Sequence, residues 1–252
     1  RDPRFASTAN GGGLPENGLT GTAYVVNSGD LPVTVNAEEG KMRLWRDTPL
    51  NAQSPGAKTE LAPHTVGYES NEDLPNGFRP PGLIHLSTTT GSVPEYLQDF
   101  GNTVAAGSTT HHTTMYRAAS GALVFSTGSV QWTWGLDQWH DGDGAPADAR
   151  MQQAQVNLLA DMDSMPTTLM SGLVMPTAAK DTTAPTVNVT TAPTGSVRNG
   201  EKITVKGTAS DTGGRVAAVE YSFDGGTTWN AAEGTANWSF TAVQEGSGDE
   251  QL

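Results

Sequence analysis

Two short segments carry the side chains best suited to chemistry. One is an acidic cluster, Glu69, Glu72 and Asp73, which follows Tyr68, and the other is the adjacent pair His111 and His112. A carboxylate can ligate a metal ion, whereas a histidine, with an unperturbed pKa of about 6.5, can move a proton near neutral pH. A metal-ligating role for Glu69, with Glu72 or Asp73 supporting it, and a catalytic role for the histidines are therefore the functional interpretations of these segments.

Both segments also have plain structural interpretations. An acidic cluster can be a solvated loop, since runs of charge usually face water. Adjacent residues of a strand point to opposite faces, so His111 and His112 are not expected to bind one ion together. One of them could be buried and hydrogen-bonded while the other is exposed. In the catalytic alternative, one acts as a general base or proton donor.

An aromatic stretch follows the short apolar run at residues 122–125. Such a run, bounded by turn signals, predicts a strand buried on both faces of a parallel sheet, and ligands bind beyond the carboxyl ends of such strands. We therefore assign substrate contacts to four residues: Tyr68, Trp132, Trp134 and Asp137. The alternatives for the tryptophans, which include Trp139, are packing in the core and a stacking platform for sugars.

Composition excludes several classes of function. The net charge of −13 argues against a nucleic-acid partner, because phosphate contacts draw on lysine and arginine. The chain lacks cysteine, so thiolate nucleophiles and zinc–thiolate sites are excluded. Asp141 to Gly144 begin like a calcium loop, but the glutamate required at the twelfth position is missing. The chain also lacks an apolar run long enough to span a membrane and an apolar signal core near residue 1.

Three regions follow one another along the chain. Residues 1–170 combine short strand-like runs with a predicted short helix at 93–100 and an amphipathic helix that starts near Asp148 and packs on the sheet. Residues 171–180 form a linker of small residues. Residues 181–252 alternate Thr- and Val-rich runs with Gly turns, which predicts a small antiparallel sandwich that lacks its last strand or two.

Seven motifs in the first region resemble the carboxyl half of the domain shared with the large (beta) subunit of N,N-dimethylformamidase. They lie at residues 16–22 (ENGLTGT), 40–46 (GKMRLWR), 67–69 (GYE) with 72–73 (ED), 76–80 (NGFRP), 86–90 (LSTTT), 110–113 (THHT) and 121–137, which ends in WGLD. The tail resembles bacterial immunoglobulin-like domains in its phrases DTTAP, at 181–185, and YSFDGGTTW, at 221–229.

The resemblance implies a partial α/β domain, similar to flavodoxin and the glutamine amidotransferases, with β-rich insertions. It further implies a ferric iron held by two tyrosines and a glutamate, hydrolysis of the C–N bond of a small amide, and a secreted or cell-surface bacterial protein. The family's tyrosine-bearing segments are expected upstream of Arg1, so Glu69 is the ligand expected here. The alternative function is a non-catalytic protein that binds polysaccharide or another surface partner; an oligomeric assembly is left open.

Overall fold

The computed structural model describes Ser7, Ala9 and residues 12–142 and 144–245. Its helices are α1 (Asn17–Thr20) and α2 (Ala149–Asp161). The strands are β1 (Ala23–Ser28), β2 (Asp30–Leu31), β3 (Thr34–Asn36), β4 (Lys58–Glu60), β5 (Val66–Gly67), β6 (Ser70–Glu72), β7 (Ile84–Gln98), β8 (Thr103–Arg117), β9 (Leu123–Ser126), β10 (Thr186–Thr191), β11 (Lys202–Ser210), β12 (Glu220–Tyr221), β13 (Asn230–Ala231), β14 (Glu233–Gly234) and β15 (Asn237–Val243). Short 3-10 turns include Arg43–Trp45 and Trp132–Gly135.

The chain forms two compact units. The first unit comprises Arg1–Leu74 with Leu83–Ala178, and the second comprises Pro75–Gly82 with Ala179–Leu252. No helix among the described residues is long and apolar enough to cross a membrane.

The first unit is built around a closed antiparallel sheet. Its strands run in the order β6-β1-β7-β8-β9, and β6 also pairs with β8 where Glu72 faces His111. The strands β6, β1, β7 and β8 thus form a closed ring, in which β7 and β8, each of 15 residues, pair as one long hairpin. The register of that hairpin shifts between His85 and Ser87 and between Val93 and Tyr96. Such shifts bend strands, which allows the long hairpin to curve as part of a closed sheet.

The prediction of a partial α/β fold is wrong. The strand pairings of the described residues are antiparallel throughout. The apolar run at 122–125 forms β9, a half-buried strand paired on the edge of the sheet with β8. α2 follows the last strand of this unit, so it cannot serve as the crossover that parallel strands require. The helix predicted at 93–100 is mostly strand as well, because the register shift accommodates Pro94, which has no N–H to donate.

Helix α2 forms where the sequence predicts but packs elsewhere. The carboxylate of Asp148 accepts the N–H of Arg150 and caps its start. Its buried side chains include Met151 and Leu158, and the amide of Asn157 donates to the carbonyls of Leu44 and Arg46. The helix is therefore fixed on the turn Arg43–Trp45 rather than on a sheet face.

The second unit is an all-β sandwich. Its larger sheet has the order β10-β11-β15-β14, which in chain order reproduces the A-B-E-D sheet of immunoglobulin folds. The buried core consists of Val205, Ala209, Trp238 and Phe240. The ring of Trp238 lies across Gly207, where any side chain on residue 207 would collide with it.

One corner of this core face is uncovered in the described part of the unit. Val187 pairs with Ala209 and Val189 pairs with Gly207, so both valines lie on the core face of the sheet. They are nevertheless 59% and 61% exposed. The predicted truncation of the sandwich stays a prediction.

Candidate functional site

Strand β8 sends its two adjacent histidines to opposite faces, as strand geometry requires. The imidazole of His111 is completely buried, and its Nε2–H donates to the carbonyl oxygen of Thr127 at 3.1 Å. Its Nδ1 has no hydrogen-bond partner in the described part of the chain. Burial lowers the pKa of His111 to about 4, so the ring is neutral at neutral pH. His111 therefore ties β8 to the segment that leads to the aromatic turn.

On the other face, His112 stacks on His85. The ring centroids lie 3.7 Å apart with an interplanar angle of 21°. The Nε2–H of His85 donates to Oδ2 of Asp73 at 2.8 Å, and the Asp73 carboxylate is buried while the His85 side chain is 30% exposed. A partly exposed imidazole held by a buried carboxylate is an arrangement suited to proton transfer, because the carboxylate fixes the tautomer and stabilises the imidazolium.

A buried carboxyl group, Glu39, completes this region. It accepts the hydroxyl of Thr88 and the backbone N–H of Asn36, the latter at 2.9 Å. Burial raises the pKa of Glu39, and the hydrogen bonds from Thr88 and Asn36, together with the charge of His85, oppose that effect. Thr88 faces His112 across the β7–β8 pairing, which connects Glu39 to the stacked rings. We refer to Glu39, Asp73, His85, Thr88 and His112 as the histidine cluster.

Glu72, the last residue of β6, and Asp73, the residue after it, have different hydrogen-bond partners. Whereas Asp73 reaches His85, the carboxylate of Glu72 accepts the Thr109 hydroxyl at 2.7 Å, the Thr110 N–H at 2.8 Å and the Tyr96 hydroxyl at 3.1 Å. Burial and the charge of Glu72 raise the pKa of Tyr96 to about 12, so the phenol stays a donor. Glu72 thus stabilises the seam between β6 and β8.

Glu69, the expected metal ligand, directly precedes β6, and Tyr24 of β1 pairs with Asn71 of that strand. Burial and the carboxylates of Glu69 and Glu95 raise the pKa of Tyr24. The neighbouring Tyr68 is exposed. Phenol and carboxylate oxygens suit ferric iron. No group of three or more histidine, aspartate or glutamate side chains that could hold a metal ion occurs among the described residues. A ferric iron held by Glu69 stays a prediction.

The aromatic segment turns instead of continuing as a strand. Because Trp132–Gly135 is a 3-10 turn, Trp132 and Trp134 do not share a strand face. Trp132 is buried and its Nε1–H donates to Gln155 at 3.3 Å, whereas Trp134 stacks on His140 at 4.5 Å. The Asp137 carboxylate accepts the backbone N–H of Trp139. Trp139 itself is 85% exposed.

The segment 127–130 brings some of the predicted site residues together. It accepts the hydrogen bond from His111, donates the Val130 N–H to the Glu69 carbonyl at 3.4 Å, and leads directly to Trp132. Trp134 and Asp137 lie farther along the turn, and His112 lies on the other face of β8. The catalytic, metal and substrate roles assigned to these residues stay predictions.

Sequence reasoning overlooked His85 and Glu39. His85 directly precedes the motif at 86–90 and Glu39 directly precedes the motif at 40–46, but neither residue belongs to a motif. The β7–β8 register places Thr88, which donates to Glu39, opposite His112, which stacks on His85. Recognising this link requires knowledge of the strand pairing.

The architecture is that of a two-unit β protein: an antiparallel β domain that carries a polar cluster, followed in sequence by an immunoglobulin-like sandwich. A family model described as N,N-dimethylformamidase beta subunit-like, C-terminal, matches residues 3–146, more than half of the chain. The chain therefore belongs to that family, which confirms the resemblance. A bacterial Ig domain model matches residues 185–252. Neither a curated protein nor a solved structure matches the chain.

Proposed function

We propose that this chain belongs to an amide hydrolase that cleaves the C–N bond of a small amide, with His85 as the residue that moves the proton. The observation that carries the proposal is the partly exposed His85 imidazole, bonded to the buried Asp73 and stacked on His112. Family membership supplies the reaction class, and the cluster supplies a side chain that can perform acid–base chemistry within it.

The proposed chemistry uses both nitrogens of His85. Nε2–H stays bonded to Asp73, which leaves Nδ1 to accept a proton from water as its oxygen attacks the amide carbon. The resulting imidazolium is stabilised by Asp73. It then protonates the amine nitrogen as the C–N bond breaks, so that one water yields a carboxylic acid and an amine. The stacked His112 holds the ring plane of His85 during both transfers.

Iron enters the proposal only at Glu69. A ferric ion, when bound, acidifies a coordinated water. Glu69 is the ligand that the family resemblance implies there. No proton transfer in the proposed reaction depends on the metal. We further propose export to the cell surface or the medium, with the sandwich as a spacer, in analogy to other accessory sandwiches.

The test is amine release by the full protein that contains this chain. We expect dimethylamine and formate to appear in equal amounts from N,N-dimethylformamide, and Glu69→Gln to lower the iron content per chain. Glu233→Gln, on β14 of the second unit, is the control and should retain both properties. An iron-loaded wild-type protein that releases no amine above buffer would contradict the proposed function.

A further inference from the structure

A groove lies beside β4 in the first unit, outside the histidine cluster apart from one shared threonine. It encloses about 410 Å³ and is lined by Thr34, Lys58, Glu60, Thr88 and Thr90. A second depression of about 390 Å³ shares Glu60 and adds Asp30, Leu31, Pro32, Leu61, Pro63 and His64. Both volumes fall within the range of roughly 300–1,000 Å³ that is typical of small-molecule sites. We call the two together the β4 groove.

The lining of the β4 groove carries charges of both signs, the Lys58 ammonium and the Asp30 and Glu60 carboxylates, without a large excess of either. His64 engages both carboxylate oxygens of Asp30, at 2.7 and 2.9 Å. Lys58 and Glu60 lie two residues apart on β4, and alternation places both on the same face of the strand. A ligand with a large net charge would find no matching excess of opposite charge here. The lining therefore favours a neutral, polar ligand.

The two parts of the groove differ in polarity. One part presents hydroxyl groups; Thr88 donates its own hydroxyl to Glu39, so that oxygen faces the groove as an acceptor. The other part presents the aliphatic side chains of Leu31, Pro32 and Pro63. A pyranose ring has the same division, with an apolar C–H face and a rim of hydroxyl groups. Glu60, where the two parts meet, can accept from two adjacent hydroxyls, and Lys58 can donate to a third.

We propose that the β4 groove binds a neutral oligosaccharide. The site is separate from the amide chemistry, so the proposal does not depend on the proposed function. It also does not use the tryptophans, because neither part of the groove is lined by them.

The experiment is isothermal titration of the full protein with cellohexaose, chitohexaose and maltohexaose in turn. We expect saturable binding of at least one, and a loss of affinity of at least about tenfold in both Glu60→Gln and Lys58→Met, because each removes a hydrogen bond to a charged group. Lys206→Met and Glu233→Gln, the same changes on exposed positions of the second unit, should leave the affinity unchanged.

Two results would overturn the proposal. One is the absence of saturable binding for all three hexasaccharides. The other is binding whose affinity is unchanged in both Lys58→Met and Glu60→Gln, since the sugar would then bind elsewhere. Circular dichroism of each variant separates lost binding from lost folding, and both β4 positions are exposed, so folding should be retained.

Discussion

Acidification from pH 7 to pH 4 is expected to destabilise the first unit by about 3 kcal/mol through a single side chain, His111. The pKa of its buried imidazole is lowered to about 4, whereas an unfolded histidine titrates at about 6.5. Between these values the unfolded chain binds a proton that the folded chain does not. The penalty is therefore absent well above pH 6.5, grows as the pH falls through this range, and levels off below about pH 4.

The measurement is hydrogen exchange of the β8 amides across this pH range, corrected for intrinsic rates. His111→Gln should flatten the pH dependence, because its amide can still donate to Thr127 but does not titrate. The comparison between variant and wild type isolates His111 from Glu39, whose raised pKa acts with the opposite sign. His140→Gln, a histidine outside β8, should keep the wild-type profile. Equal profiles for wild type and His111→Gln would refute the assignment.

The second large effect is expected from Gly128→Ala, which should destabilise the first unit by more than about 3 kcal/mol. Gly128 has a φ of +66°, a conformation that costs a residue with a side chain roughly 1–2 kcal/mol. A Cβ atom here would also lie 2.7 Å from Nε2 of His111 and 2.7 Å from the carbonyl oxygen of His112. Relief of that overlap displaces the His111 ring from its bond to Thr127.

Gly121→Ala is the matched control for this prediction. Gly121 has a φ of +89°, but no neighbouring atom lies within 4 Å of the position of its Cβ. It should therefore show the backbone cost alone. Urea unfolding of both variants measures the difference, and equal destabilisation would mean that the contact with His111 and His112 contributes nothing.

How far the sequence determines the fold differs between the two units. Runs such as Lys202–Ser210 alternate strictly between buried and exposed residues, so the sandwich is readable from its pattern. The first unit offers weaker signals. Leu123–Ser126 is as apolar as a buried parallel strand, although it is a half-buried edge strand. Val93 to Phe100 contains Pro94 and mixed polarity, typical of a helix start, yet the register shift of β7 absorbs it.

The site shows the same limit. Local geometry suffices to predict that His111 and His112 point to opposite faces. It does not reveal that both are buried, because burial depends on packing such as the pairing of β6, distant in sequence, with β8 at His111. Glu72 and Asp73 are adjacent in sequence, but Glu72 stabilises the seam between β6 and β8, whereas Asp73 orients His85. Composition gives no basis for distinguishing them.

The measurement closest to the central claim compares amide hydrolysis by the full protein carrying His85→Gln with hydrolysis by the same protein carrying His140→Gln. We expect His85→Gln to lower kcat about 10²- to 10⁴-fold, the usual contribution of a general acid–base residue, with wild-type folding by circular dichroism. His140→Gln should retain the wild-type rate. If His85→Gln hydrolyses the amide as fast as the control, His85 does not move the proton, and the histidine cluster is not the catalytic site.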